Sequence, residues 1–186
     1  MSDLRWRRGR LLVAAPHLDD DPNFRRAVVL VLEHADEGAL GIVLNQPMQV
    51  RAEDALPEQL ANVVSEGSAV HRGGPVQPGT VIVLADFADT ATAGGITFDT
   101  VGILDPDAAE DQGTSGIRRA RAFGGYSGWG GGQLEGEIGA DAWIDAEPTV
   151  EDVFTDDPAG LWRTVLERAG GSYRLMATAP EDPLLN

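Results

Sequence analysis

Apolar residues recur along this chain in short, dense runs broken by turn residues, and the clearest helical period comes late. Residues 10–15 read as a first buried strand, stopped by Pro16. An acidic turn, Asp19-Asp20-Asp21-Pro22, leads to residues 27–32, which are apolar throughout and rich in β-branched valine and predict a strand covered on both faces. After the turn residues Ala35-Asp36-Glu37-Gly38, residues 39–44 return as its hairpin partner, which Pro47 is expected to end. A helix is expected over 57–64, with proline at its first position, then strands over 69–72 and 80–84 around the turn Gly73-Gly74-Pro75-Val76. Residues 105–116 are acidic and lack periodicity, which predicts a mobile loop. Strand-like residues 117–123 lead into a glycine-rich run. Beyond it come a short helix from Gln133, a strand over 142–145, and a short helix begun by Thr149 with Asp152 at capping-box spacing. In the last helix Asp157 caps, Pro158 sits in the first turn, Leu161, Trp162, Val165, Leu166 and Ala169 share one face, and Gly170-Gly171 stop it. Strands and helices mix without βαβ alternation, so the pattern predicts an α+β fold. It predicts one domain over residues 1–186, with residues 1–8 as a mobile basic arm.

Composition adds mainly exclusions. At 186 residues, 42% hydrophobic and 24% charged, the chain is long enough for one sizeable core and too apolar for wholesale disorder. All 14 basic residues are arginine, and 30 acidic residues leave a formal charge of -16. Such a charge disfavours direct binding to nucleic acid or to an anionic membrane. The clusters Arg5, Arg7, Arg8, Arg10 and Arg118, Arg119, Arg121 read as a terminal arm and a charged edge strand. The absence of cysteine excludes disulfides, zinc-thiolate centres and thiol catalysis. The apolar run at 11–15 is too short for a secretory signal, and no run approaches the ~20 residues of a membrane helix, so a cytoplasmic location is expected.

The run GGYSGWGGGQLEGEI at 124–138 raises the question of chemistry. A dinucleotide fingerprint needs a third glycine where this chain has Gln133 in one register and Glu135 in the other. A P-loop needs a lysine, which is absent, and Glu135 and Glu137 in the following helix would repel a phosphate. Ser127 lies in Gly125-Tyr126-Ser127-Gly128-Trp129, where Trp129 takes the place of the last glycine of a hydrolase turn. The only candidate histidine bases are His17, His34 and His71. No two histidines have helical ligand spacing, and the aspartate turn lacks the pattern of a calcium loop, so no metal site is assigned. His34 reads most simply as a partly buried strand-end histidine bonded to backbone. The glycines suit a sharp corner around Tyr126 and Trp129. Those aromatics either plug the core or line a shallow pocket with Gln133 and Glu135.

The ordered series Leu11-Leu12-Val13-Ala14, Asp21-Pro22-Asn23-Phe24-Arg25-Arg26, Val28-Val29-Leu30-Val31-Leu32-Glu33-His34, Gly38-Ala39-Leu40-Gly41-Ile42-Val43-Leu44-Asn45, Gly73-Gly74-Pro75-Val76, Gly125-Tyr126-Ser127-Gly128-Trp129 and Gly132-Gln133-Leu134-Glu135 resembles the YqgE/AlgH family of small bacterial proteins. The resemblance implies a bifurcated mixed β-sheet curled into a pseudo-barrel with flanking helices. It implies no established reaction and no cofactor, although some members carry the label of transcriptional regulator. The leading expectation is a non-enzymatic regulatory or ligand-binding domain for a small molecule or a protein. Its candidate surface joins Glu33, His34 and Asn45 to Tyr126, Trp129, Gln133 and Glu135. A hydrolase using His34 with Glu33 or Asp36 as acid–base pair is the alternative. Regulation of transcription through partners rather than by direct DNA contact is a third reading.

Overall fold

The computed structural model describes residues 6–65, 67–90, 93–112 and 114–180. Strand β2 (Val28–Ala35) is buried at its first five positions because its sheet is covered on both sides. Val28, Leu30 and Leu32 enter one core, while Val29 and Val31 enter another. The neighbouring strand β1 (Leu11–Ala14) alternates in the same way, with Leu11 and Val13 on the first side and Leu12 and Ala14 on the second. Continuous apolar runs therefore arise here in antiparallel strands, since β1 pairs antiparallel with β2 and β2 with β3 (Gly38–Val43).

Among the described residues ten strands form one sheet. The others are β4 (Pro47–Arg51), β5 (Ala69–Arg72), β6 (Val76–Phe87), β7 (Ala93–Phe98), β8 (Val101–Leu104), β9 (Ile117–Gly130) and β10 (Trp143–Ala146). The main path runs β10-β1-β2-β3-β9-β6-β8-β7, and β5 also joins β9 in parallel while carrying β4 on its far side. The fork lies on β9, whose Phe123 and Gly124 pair with β5 and whose Ser127 to Gly130 pair with β3. One core draws Leu11, Leu30 and Ile42 together with Leu84, Val101 and Phe123, so strands far apart in the order face one another. The sheet is curled into a half-barrel, and α6 (Leu161–Ala169) closes that core with Trp162, Val165 and Leu166.

Two outer layers complete the α+β fold. Helix α4 (Gln133–Gly139) covers the β1–β3 side with Leu134, and the segment before β2 adds Leu18 and Phe24. On the other branch α1 (Ala52–Ala55), α2 (Glu58–Ala61) and α3 (Pro106–Gln112) cover Val83, Ala85, Ala120 and Ala122. Among the described residues the remaining α-helices are α5 (Val150–Val153) and α7 (Tyr173–Met176). Among the described residues no helix is long and apolar enough to cross a membrane.

Several local expectations change. The segment expected as a loop over 105–116 contains α3, because the Asp105 carboxylate accepts from the N–H groups of Asp107 and Ala108 and Ala109 is buried. β3 ends at Val43, ahead of Pro47 as expected, and Pro47 itself opens β4 at the edge of a branch. The helix expected over 57–64 shortens to α2, with α1 ahead of it. Residues 1–5 of the expected arm lie outside the described residues. Trp6, Arg7 and Arg8 are tied down: the Arg8 guanidinium donates to Ile96 O at 3.0 Å, and the N–H of Gly9 donates to Val31 O at 2.8 Å.

The largest change concerns the glycine run. Residues 124–130 continue β9 instead of turning a corner, and the chain turns only at Gly131-Gly132. Gly125 takes φ +71°, and the face alternation of β9 shifts by one there. Before it Phe123 points into the half-barrel core; after it Tyr126 does, while Trp129 goes to the outer layer under α4. Without that shift, Tyr126 and Trp129 would exchange faces.

Candidate functional site

The β2–β3 turn is the place where the hairpin and the glycine-rich strand meet. In the ladder His34 stands opposite Ala39, and Ala39 stands opposite Trp129 on β9. A shallow depression of about 360 Å³ opens there, lined by Glu33, Ala35, Glu37, Leu40 and Trp129 among others. Glu33 and Glu37 are exposed, whereas Trp129 is 6% exposed and shows the depression only an edge.

His34 is a positioned group whose side chain is 1% exposed. Its Nδ1 accepts the backbone N–H of Arg7 at 3.0 Å, which leaves the proton of the neutral ring on Nε2. Nε2 lies 3.2 Å from Glu135 Oε1 and donates to it, and Trp6 packs edge-on at 5.2 Å. His34 is thus a strand-end histidine bonded to backbone, with Glu135 as its second partner. Both ring nitrogens are engaged, so His34 offers no free lone pair to a substrate.

Trp129 and Gln133 converge on a residue outside the sequence-derived set. Glu137 Oε2 accepts from the indole N–H of Trp129 at 2.9 Å and from that of Trp143 at 2.8 Å. Its Oε1 accepts from the Gln133 amide at 2.9 Å, while Gln133 Oε1 accepts Gly130 N–H at 3.0 Å. Phe24 stacks on Trp129 at 6.3 Å and meets Trp143 edge-on at 5.3 Å. A helix-facing glutamate four residues after Gln133 was visible in sequence, but nothing there indicated two indoles within reach.

The other expected residues lie elsewhere. Asn45 follows β3 at the opposite end of the hairpin, where Oδ1 accepts Val28 N–H and Nδ2 donates to Arg26 O, both at 2.9 Å. About six residues of β3 register separate it from His34, roughly 20 Å at strand spacing. It clamps the start of β2. Tyr126 packs against the half-barrel core. Ser127 is 0% exposed and its hydroxyl donates to Gly73 O at 3.3 Å, so it is closed to substrate. Among the described residues no three His, Cys, Asp or Glu side chains are grouped to hold a metal ion.

The strongest perturbed titration lies outside this region. Burial and then the charge of Arg121 lower the pKa of His71 from 6.5 to about 4. The unfolded chain binds the proton first, so stability present above pH 6.5 is lost as pH falls through about 4, by roughly 3 kcal/mol in all. His71 Nδ1 has no hydrogen-bond partner, so His71→Leu should keep stability at pH 7 and flatten this acid limb. Urea titrations of both proteins from pH 4 to 7 check it; an unchanged slope would show that other groups dominate.

Comparison with known proteins extends the description. The AlgH-like family profile, DUF179, matches residues 11–174. A UPF0301 protein of Streptomyces avermitilis is 40% identical over 192 aligned positions, covering 100% of this chain and 98% of its own. One from Thermobifida fusca is 40% identical, covering 96% and 94%. Among solved structures, protein DIP2367 from Corynebacterium diphtheriae superposes with a TM-score of 0.81 at 26% identity, covering 92% of this chain and 91% of that one. The solution structure of the AlgH protein from Pseudomonas aeruginosa gives a TM-score of 0.70 at 26% identity, covering 97% of both. With the matched profile, the forked half-barrel and the near full-length relatives in agreement, this chain belongs to the AlgH-like family, YqgE/AlgH.

Proposed function

We propose that this protein is a non-enzymatic, cytoplasmic binding domain whose partner presents a basic group to the depression at the β2–β3 turn. The lining carries this reading: the exposed carboxylates of Glu33 and Glu37 flank an apolar floor of Ala39, Leu40 and the Trp129 edge, with no basic side chain among them. The formal charge of -16 draws cationic partners towards the whole molecule and repels polyanions. The hydrolase alternative loses support because His34 uses both ring nitrogens in the fold and Ser127 is buried. A regulatory role, on this reading, acts through a bound protein and not through DNA.

An arginine-rich peptide titrated into the protein, followed by tryptophan fluorescence at two salt concentrations, tests the assignment. Binding should weaken with salt, and Glu33→Gln with Glu37→Gln should reduce affinity about ten-fold without changing Tm. Equal affinity in the double variant and the parent would remove the depression from consideration.

A further inference from the structure

Arg119 and Arg121 stand two residues apart on β9, and so on one face of it, at a cleft of about 310 Å³ beside the loop that leaves α5. That volume suits a small metabolite. Arg119 is neutralised. Its Nε lies 3.5 Å from Asp86, its terminal nitrogens bond both oxygens of Glu151 at 3.0 and 2.5 Å, and its guanidinium covers the Phe154 ring at 4.9 Å. Burial alone would raise the Asp86 carboxyl, but hydrogen bonds from Thr100 and Arg118 and the nearby arginine charges bring it below its ordinary value.

Arg121 is held differently. Its terminal nitrogens donate to Val153 O at 3.0 Å and Thr155 O at 2.9 Å, and among the described residues no carboxylate comes within 4.0 Å of it. Burial lowers its pKa, the charge of Asp156 opposes that, and Arg119 adds to it. A guanidinium does not give up its proton under these conditions, so a full charge stands in a desolvated place with carbonyl dipoles as its partners. Nearby, His71 is 5% exposed with an unpartnered Nδ1, and the charge of Arg121 reaches its ring.

We infer that this cleft binds a small ligand through a carboxylate or phosphate group, with Arg121 as the anchor and Glu151 occupying the fork of Arg119 until the ligand displaces it. The Glu151 side chain is 75% exposed, so it can leave at little cost. The overall negative charge favours a small oxyanion over a nucleic acid, whose many phosphates would be repelled. This site is separate from the depression at the β2–β3 turn and does not depend on it.

Inorganic phosphate and acetate, titrated separately into the full chain at ionic strength held constant with chloride, provide the test. NMR follows the Arg121 Nε–H and His71 ring signals, and thermal melting runs in parallel. One or both anions should move these signals saturably and raise Tm by about 3 °C near saturation. The preferred anion identifies the ligand group. Glu151→Gln should tighten binding up to about five-fold by removing the internal competitor, and Arg121→Lys should weaken it about ten-fold by removing the fork. No saturable shift in either the parent or Glu151→Gln overturns the proposal, as does an affinity indifferent to Arg121→Lys. Because Glu151 is exposed, its variant decides the matter even if Arg121→Lys does not fold.

Discussion

A Gly73→Ala chain is expected to lose at least about 3 kcal/mol of stability. Gly73 lies in the crotch of the fork. Its N–H donates to Gly124 O on β9 at 2.8 Å, and its carbonyl accepts the N–H of Val43, the last residue of β3, at 2.8 Å. A Cβ there would stand 2.3 Å from Gly125 O, a backbone atom that cannot rotate away. Relief requires β9 and the segment after β5 to separate by about 1 Å, which breaks bonds on both branches and opens the core behind them. Gly136→Ala is the control. A Cβ at Gly136 meets nothing within 4 Å, and the residue sits inside α4, so alanine should add up to about 1 kcal/mol. Urea unfolding of both variants checks the pair. A Gly73→Ala midpoint within error of the parent would mean that the fork is far softer than its contacts imply.

Glu137→Ala should cost about 3 kcal/mol, because one carboxylate satisfies the indole N–H groups of both Trp129 and Trp143. Those rings are 6% and 3% exposed, so the two donors would be left dry. Gln133 would also lose its acceptor, loosening the start of α4 over the hairpin tip. Glu137→Gln keeps an amide oxygen for the indoles and should recover roughly half of the loss. Equilibrium unfolding gives the energies, and near-ultraviolet circular dichroism reports whether the tryptophans stay ordered. If Glu137→Ala matches the parent in both, the carboxylate is incidental to the outer layer.

These two residues also mark where sequence reading succeeded and where it stopped. The β2–β3 hairpin, the apolar face of α6 and the Thr149–Asp152 cap were legible because each rests on residues close in sequence, although α6 starts after Gly160 and Asp157 only accepts the Gly160 N–H in the turn before it. The β7–β8 hairpin escaped notice, since glycines dilute its pattern in Ala93–Phe98 and its turn rests on Asp99 at φ +43°. Of the candidate residues, Glu33, His34, Trp129, Gln133 and Glu135 gather near one end of the hairpin, while Asn45 and Tyr126 serve other parts of the fold. Distance along a strand explains the first exception, and the face shift at Gly125 explains the second.

The sequence alone determined the α+β class, the principal strands, the family and the exclusion of thiol and P-loop chemistry. Those follow from local periodicity, residue inventory and the order of short motifs. Tertiary structure decided what the glycines are for. At Gly73 and Gly125 they admit backbone from another strand, a requirement set by residues about fifty positions away. It also decided that Glu137 serves two tryptophans and that Arg121 has carbonyl groups as partners. Close approach and charge compensation are properties of neighbours in space, and the curled, forked sheet chooses those neighbours.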